Sequence, residues 1–174
     1  IVTKNFCSGE ASVCVMARVA GADVIPVDIG VAQDVTEPGL RVHKIAYGTA
    51  DITQGPAMTR EQATDAILYG MNLVKELKEE GYRLIATGEM GIGNTTTSSA
   101  LLSVLLHRPV EEMTGRGAGL SSEGLKRKID AIHRAIEVNQ PDPDDPLDTL
   151  HKVGGLDIAG LVGVFLGGAH YHLP

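Results

Sequence analysis

Apolar residues recur at helical spacing along several stretches of the chain and run together without that spacing in two short ones. Residues Ser8 to Ala20 predict a helix, with Ser8 as its cap, Val13, Met16 and Ala17 turned inward and Gly21 as its stop. Asp23 to Val31 predicts a strand; Pro26 removes one ladder donor and points to an edge or a bulge. Ala32 to Met58 has no sustained period, so it forms a functional loop or hides a short strand at Arg41 to Ile45. Thr59-Arg60-Glu61-Gln62 is a capping box, and Ala63, Ala66, Ile67, Gly70, Met71, Val74 and Leu77 then fall on one helical stripe that Gly81 closes.

Tyr82 to Thr87 is short and largely apolar, which suits a buried parallel strand. The order strand, helix, strand then predicts a right-handed crossover between parallel strands, hence an α/β chain. Ser98 to Leu106 reads as a helix that Asn94 or Thr95 can cap, and Arg108-Pro109 ends it. Ser121 or Ser122 can cap a further helix to about Val138, with Leu125, Ile129, Ile132 and Ile136 as its seam. On that seam Lys126 and Lys128 flank the buried side and Arg127 lies nearly opposite it. Asn139 to Pro146 is a proline and aspartate loop, followed by a short helix at Leu147 to Val153 and a buried one at Leu156 to Ala169. The last of these is the most apolar run, but it is too short to span a bilayer and carries Asp157 and four glycines.

Composition narrows the class without naming a chemistry. The 174 residues, 43% hydrophobic with 21 glycines, suit one globular domain rich in tight turns. The net charge of −7 argues against nucleic acid or an anionic membrane as a partner. Cys7 and Cys14, seven apart on one predicted helix, share a face but are too far apart for a disulfide; they read as two reduced core thiols, which suits the cytoplasm, or as a reactive or metal-binding pair.

The chemistry concentrates in Gly88-Glu89-Met90-Gly91-Ile92-Gly93-Asn94-Thr95-Thr96-Thr97. Between a predicted strand and a predicted helix, its three glycines let backbone approach a ligand, and the helix start offers unpaired N–H groups to an anion such as phosphate. Glu89 would repel a phosphate placed directly on it, so it faces a ribose or reaction centre beside the anion. Two known loops come close and fail: Asn94 stands where the nucleoside-triphosphate loop needs its lysine, and Thr96 where the dinucleotide fingerprint needs its third glycine. A nucleotide hydrolase is thereby disfavoured. Asp28 falls at the C-terminal end of its strand, as a ligand group or a turn cap. Arg116, in the second glycine loop Gly115 to Gly119, can reach an anion or lie in solvent. His170 and His172, at i and i+2, would need further ligands to hold a metal, and no metal site is predicted.

The segment Gly88 to Thr96 resembles the signature of the nicotinate-nucleotide:dimethylbenzimidazole phosphoribosyltransferases, which make the lower-ligand nucleotide of cobalamin. Gly55-Pro56-Ala57-Met58-Thr59, Gly115-Arg116-Gly117-Ala118-Gly119-Leu120 and Gly154-Gly155-Leu156-Asp157-Ile158-Ala159 are similar to other segments of that family, in the family's order. The resemblance covers nearly all of the chain and about the middle half of a family member. It implies a three-layer, mainly parallel sheet with helices on both faces, Rossmann-like and incomplete, in a single domain spanning 1–174.

The resemblance also assigns roles. Gly91, Ile92 and Gly93 would hold a phosphate, Lys128 would pair with it, and Glu89 would face the ribose or act as a surrogate base. Met90, Asn94, Asp28 and Arg116 are further candidates. The implied substrates are nicotinate mononucleotide and a benzimidazole base, with no cofactor or metal, in a cytoplasmic homodimer. The family's assigned base, a glutamate in its C-terminal part, matches no position of this chain, so the chain alone is expected to turn over little or nothing. A module of another class, a non-catalytic phosphate-ligand or scaffold unit completed by another chain, would use the same turn.

Overall fold

The computed structural model describes residues 2–174, which divide into two compact units, 2–48 and 49–174. The first unit holds α1 (Val2–Ser8), α2 (Ser12–Ala20), β1 (Val27–Asp28) and β2 (Arg41–Val42). The single helix expected over Ser8 to Ala20 is instead two. Gly9, at φ +78°, takes a left-handed conformation that interrupts the helical path, and Ser8 ends α1 rather than capping α2. Cys7 and Cys14 therefore sit on different helices, both as free thiols, Cys14 buried with its Sγ 3.5 Å from the Phe6 carbonyl. Cys14 is also the buried position of α2, whereas the expected inward residues Val13 and Met16 are 42% and 63% exposed. Gly21 stops α2 in the left-handed region as predicted.

The strand hidden at Arg41 is present, and it pairs in parallel with β1, Val27 opposite Arg41 and Asp28 opposite Val42. Hydrogen bonds from Arg41 N–H to the Pro26 carbonyl, His43 to Asp28 and Ile45 to Ile29 extend the pairing at both ends. Pro26 thus serves as an acceptor, the one ladder role its ring leaves open.

The second unit is helical: α3 (Arg60–Glu79), α4 (Thr95–Leu105), α5 (Val110–Met113), α6 (Ser122–Asn139), α7 (Pro146–Val153) and α8 (Leu156–Tyr171). The capping box forms as read, with Gln62 N–H donating to Thr59 Oγ1 at 3.1 Å and Thr59 N–H to Gln62 Oε1 at 2.9 Å. Thr59→Ala is expected to destabilise the second unit by about 1 kcal/mol, read as a lower midpoint in urea at unchanged slope. Along α3 the buried residues are Ala63, Ala66, Gly70, Leu73, Val74 and Leu77. That small-residue face meets α8, whose own buried residues include Ala159, Gly160, Gly163 and Gly167. The opposite side of α8 is open, Phe165 being 67% exposed, so the helix is half-buried rather than enclosed.

Tyr82 to Thr87 lies in no helix and in no strand of a ladder. A strand needs a neighbour about 4.8 Å away along its length. Here the Ile85 N–H finds one carbonyl, that of Pro174 at 2.8 Å, and Leu84 is 68% exposed. The expected crossover between parallel strands is therefore not formed. Among the described residues the only sheet is the two-stranded parallel one, an α/β composition dominated by helices in which three layers are not assembled.

Candidate functional site

Four segments of the second unit converge at the start of α4. The first is the glycine turn, where Gly91 and Gly93 take φ +74° and +81°, a region in which a side chain would be strained. Its Glu89 carboxylate folds back and accepts from the Gly91 N–H and from the Asn94 side-chain amide. Asn94 occupies the cap position but makes no side-chain cap; its Nδ2 reaches instead to Glu89 and, at 2.8 Å, to Asp157 Oδ2. The hydroxyls of the first turn also turn backward. Thr97 and Ser98 donate to the Asn94 carbonyl, and Ser99 donates to that of Thr95. With no cap, the N–H groups of Thr95, Thr96 and Thr97 have no protein acceptor among the described residues.

The second segment is the loop Gly115 to Gly119. At Gly117, φ +55°, an added Cβ would lie 2.9 Å from Thr95 Oγ1 and 3.8 Å from Lys128 Nζ, so only glycine lets this backbone pass. The third is α6. Its buried face is Gly124, Lys128, Ile132, Ala135 and Asn139, a regular helical series, while Leu125, Ile129 and Ile136 are half-buried. Lys128 consequently lies in the middle of the covered side, 7% exposed, and not at its flank. Its ammonium donates to Thr95 Oγ1 at 2.9 Å and to the Gly115 carbonyl at 3.2 Å. No carboxylate among the described residues pairs with it, and burial lowers its pKa from the usual lysine value. The fourth segment is the first turn of α8, which carries Asp157.

Asn94 and Thr95, neighbours in sequence, divide the site. On the Thr95 side stand a buried cation and free helix N–H groups, an arrangement that attracts an anion. On the Asn94 side stand two carboxylates, an arrangement that favours developing positive charge. Glu89, Gly91, Asn94 and Lys128 of the expected residues come together here. Met90 and Ile92 flank them on the turn with side chains 38% and 69% exposed. Arg116 is turned onto its own loop, donating to the Leu120 carbonyl at 2.8 Å and to Ser122 Oγ at 3.1 Å. Asp28 belongs to the first unit and is fully buried, its carboxylate held by Lys44 Nζ at 2.7 Å and the Val31 N–H at 2.8 Å, which is the turn-capping role. Thr95 and Asp157 were not among the expected site residues. Asp157 lay inside a glycine-flanked segment of the sequence, but nothing in spacing links it to an asparagine 63 positions earlier. Among the described residues no group of three or more metal-ligating side chains occurs, and no helix is long and apolar enough to cross a membrane.

The chain is similar in sequence and fold to known proteins. The sequence model of the family described as Phosphoribosyltransferase, DBI_PRT, matches residues 1–174. The nicotinate-nucleotide–dimethylbenzimidazole phosphoribosyltransferase of Ruminiclostridium cellulolyticum is 53% identical over 173 residues, covering 99% of this chain and 49% of that protein. The protein of the same name from Acetivibrio thermocellus is 50% identical over the same share of each. The crystal structure of CobT from Thermus thermophilus superposes with a TM-score of 0.93 at 39% identity, covering 99% of this chain and 52% of that one. The chain thus spans about half the length of the curated relatives it matches, and by family model, relatives and fold it belongs to the dimethylbenzimidazole phosphoribosyltransferase family.

Proposed function

We propose that the chain is the central part of an enzyme that moves phosphoribose from nicotinate mononucleotide to 5,6-dimethylbenzimidazole, giving α-ribazole 5′-phosphate and nicotinate. The observation that carries this reading is Lys128, a buried ammonium with no carboxylate partner among the described residues, beside an uncapped helix start. Burying an unpaired charge is costly in a chain that has no use for it; a phosphate held by Lys128, Thr95 and the N–H groups of α4 supplies the partner. Gly93 and the backbone of Ile92 would complete the cradle. The Gly91 N–H holds Glu89 in place beside that cradle.

With the phosphate on the Thr95 side, the ribose C1 falls toward Glu89. There the bond from C1 to the nicotinate nitrogen breaks, nicotinate leaves with the electron pair, and a benzimidazole nitrogen attacks from the opposite face. The sugar passes through an oxocarbenium-like state, which a carboxylate held nearby stabilises. The proton of the attacking benzimidazole goes to a base. Glu89 is a weak surrogate for it, because the glutamate the family uses has no match among residues 1–174. This chain is therefore expected to bind the mononucleotide without appreciable turnover. In the complete enzyme, Tyr82 to Thr87 would take its place in the three-layer, Rossmann-like sheet of a single α/β domain. Open apolar positions such as Phe165 and Leu166 support assembly as a homodimer, and two free thiols support a cytoplasmic setting.

Calorimetric titration tests the anchor. Nicotinate mononucleotide is expected to bind the 174-residue chain, and Lys128→Ala to weaken it by roughly 1–3 kcal/mol, the range for a charged hydrogen bond. Equal affinity in wild type and variant would remove the phosphate from Lys128.

A further inference from the structure

Resting on the placement of the sugar beside Glu89, we infer that Asp157 is a positioning residue that sets Glu89 through Asn94. The Asn94 amide nitrogen has two hydrogens, and both are used: one on Glu89 Oε2, the other on Asp157 Oδ2 at 2.8 Å. Two carboxylates on one amide fix its orientation, since an amide oxygen turned toward either would be repelled. Asp157 is the rigid end of this chain of contacts. It stands in the first turn of α8, a helix anchored against α3, and it makes no cap of its own, since Gly155 is the cap position and has no side chain. Glu89 is the movable end, on an exposed glycine turn. The amide therefore transmits a fixed position to a carboxylate whose own backbone does not fix it.

Gly155 supplies an independent sign that the place of Asp157 matters. A Cβ at Gly155 would sit 2.4 Å from Asp157 Oδ1 and 3.5 Å from Thr97 Oγ1. Its backbone, at φ −141° and ψ 155°, is open to any residue. Glycine here is needed for the room it gives the Asp157 carboxylate, not for its conformational freedom. Gly155→Ala keeps the charge of Asp157 and the backbone of α8 while pushing that carboxylate off Asn94.

The test reads the Gly91 amide, which donates to the positioned Glu89. Hydrogen exchange at Gly91 is measured by NMR in the 174-residue chain, with the Ala159 amide, bonded to the Gly155 carbonyl at 3.0 Å, as the monitor of α8. Asp157→Ala, Asn94→Ala and Gly155→Ala are each expected to speed Gly91 exchange about tenfold while Ala159 keeps its wild-type rate. Asp157→Asn retains an acceptor for Asn94 and is expected to stay near wild type; a role in charge alone would make it match Asp157→Ala. Nicotinate mononucleotide affinity is expected to fall roughly fivefold or more in the three variants that speed exchange. An unchanged Gly91 rate in Asp157→Ala or Gly155→Ala overturns the inference, even if wild type binds the mononucleotide as proposed. Faster Gly91 exchange in a chain whose wild type fails to bind the mononucleotide leaves the positioning intact and removes the substrate assignment instead.

Discussion

Gly163→Ala is expected to destabilise the second unit by about 2 kcal/mol, although alanine is the better helix former. The favourable part is intrinsic: replacing glycine by alanine inside a helix is worth about 1 kcal/mol. The opposing part is contact. A Cβ at Gly163 would lie 2.0 Å from the Ile67 carbonyl oxygen, 2.8 Å from its carbon and 2.9 Å from the Gly70 Cα. These are backbone atoms of α3, so no side chain can swing aside; the two helices must separate. Separation also opens the space around Val74 and Ala66, both fully buried. Overpacking of this kind costs roughly 1–3 kcal/mol and more when backbone is struck, which outweighs the propensity gain. The same logic predicts coupling. At Gly70 an added Cβ would be 2.1 Å from the Gly160 carbonyl oxygen. Once one alanine has pushed the helices apart the second meets less resistance, so Gly70→Ala with Gly163→Ala should cost less than the two single changes added together. Urea denaturation of the four proteins measures this, and a Gly163→Ala midpoint at or above wild type would refute the close crossing.

That crossing was only half legible beforehand. The stripe on α3 could be read from the chain because a capping box and a 3.6-residue period are local signals, and Thr59 with Gln62 forms the reciprocal pair as spelled. The interruption at Gly9 was hidden because Ser8 is a good cap residue and the apolar pattern continues past it. Tyr82 to Thr87 has strand composition, but a strand exists only with a partner, and one hydrogen bond to Pro174 is what this stretch finds. Lys128 shows a different failure. Tracing the seam through leucine and isoleucine alone rotated the helix, because the small residues Gly124 and Ala135 mark the side where neighbours come closest. Counting them would have put the lysine at the centre. The glycine turn, Glu89, Asn94 and Lys128 were all identified from motif and resemblance. Asp157 and Thr95 became visible only when the fold brought segments 33 and 63 residues apart into hydrogen-bond contact.

Asp28→Ala is expected to cost the first unit about 3–5 kcal/mol, the range for removing one partner of a buried ion pair. Asp28 is fully buried, and Lys44, whose side chain is 11% exposed, donates to it at 2.7 Å. The same ammonium donates to the Val31 carbonyl at 2.6 Å and the Gln33 carbonyl at 3.2 Å, and lies 5.0 Å from the centre of the Tyr47 ring. The other Asp28 oxygen accepts the Val31 N–H at 2.8 Å. One carboxylate therefore ties the end of β1 to the turn after it and to the segment that follows β2. Alanine leaves a cation without its anion and a backbone donor without an acceptor, and both penalties fall on the same few residues. Asp28→Asn keeps acceptors for Val31 and Lys44 and should lose less. Lys44→Met combined with Asp28→Ala removes the stranded charge, so the pair should be more stable than Asp28→Ala alone. Hydrogen exchange of His43, Ile45 and Gly48, whose amides donate to the Asp28, Ile29 and Gly30 carbonyls, reads this unit directly. If those three amides exchange at wild-type rates in Asp28→Ala, the ion pair contributes nothing to the unit. Recovery of protection in the double variant would instead identify the unpaired lysine as the chief source of the loss.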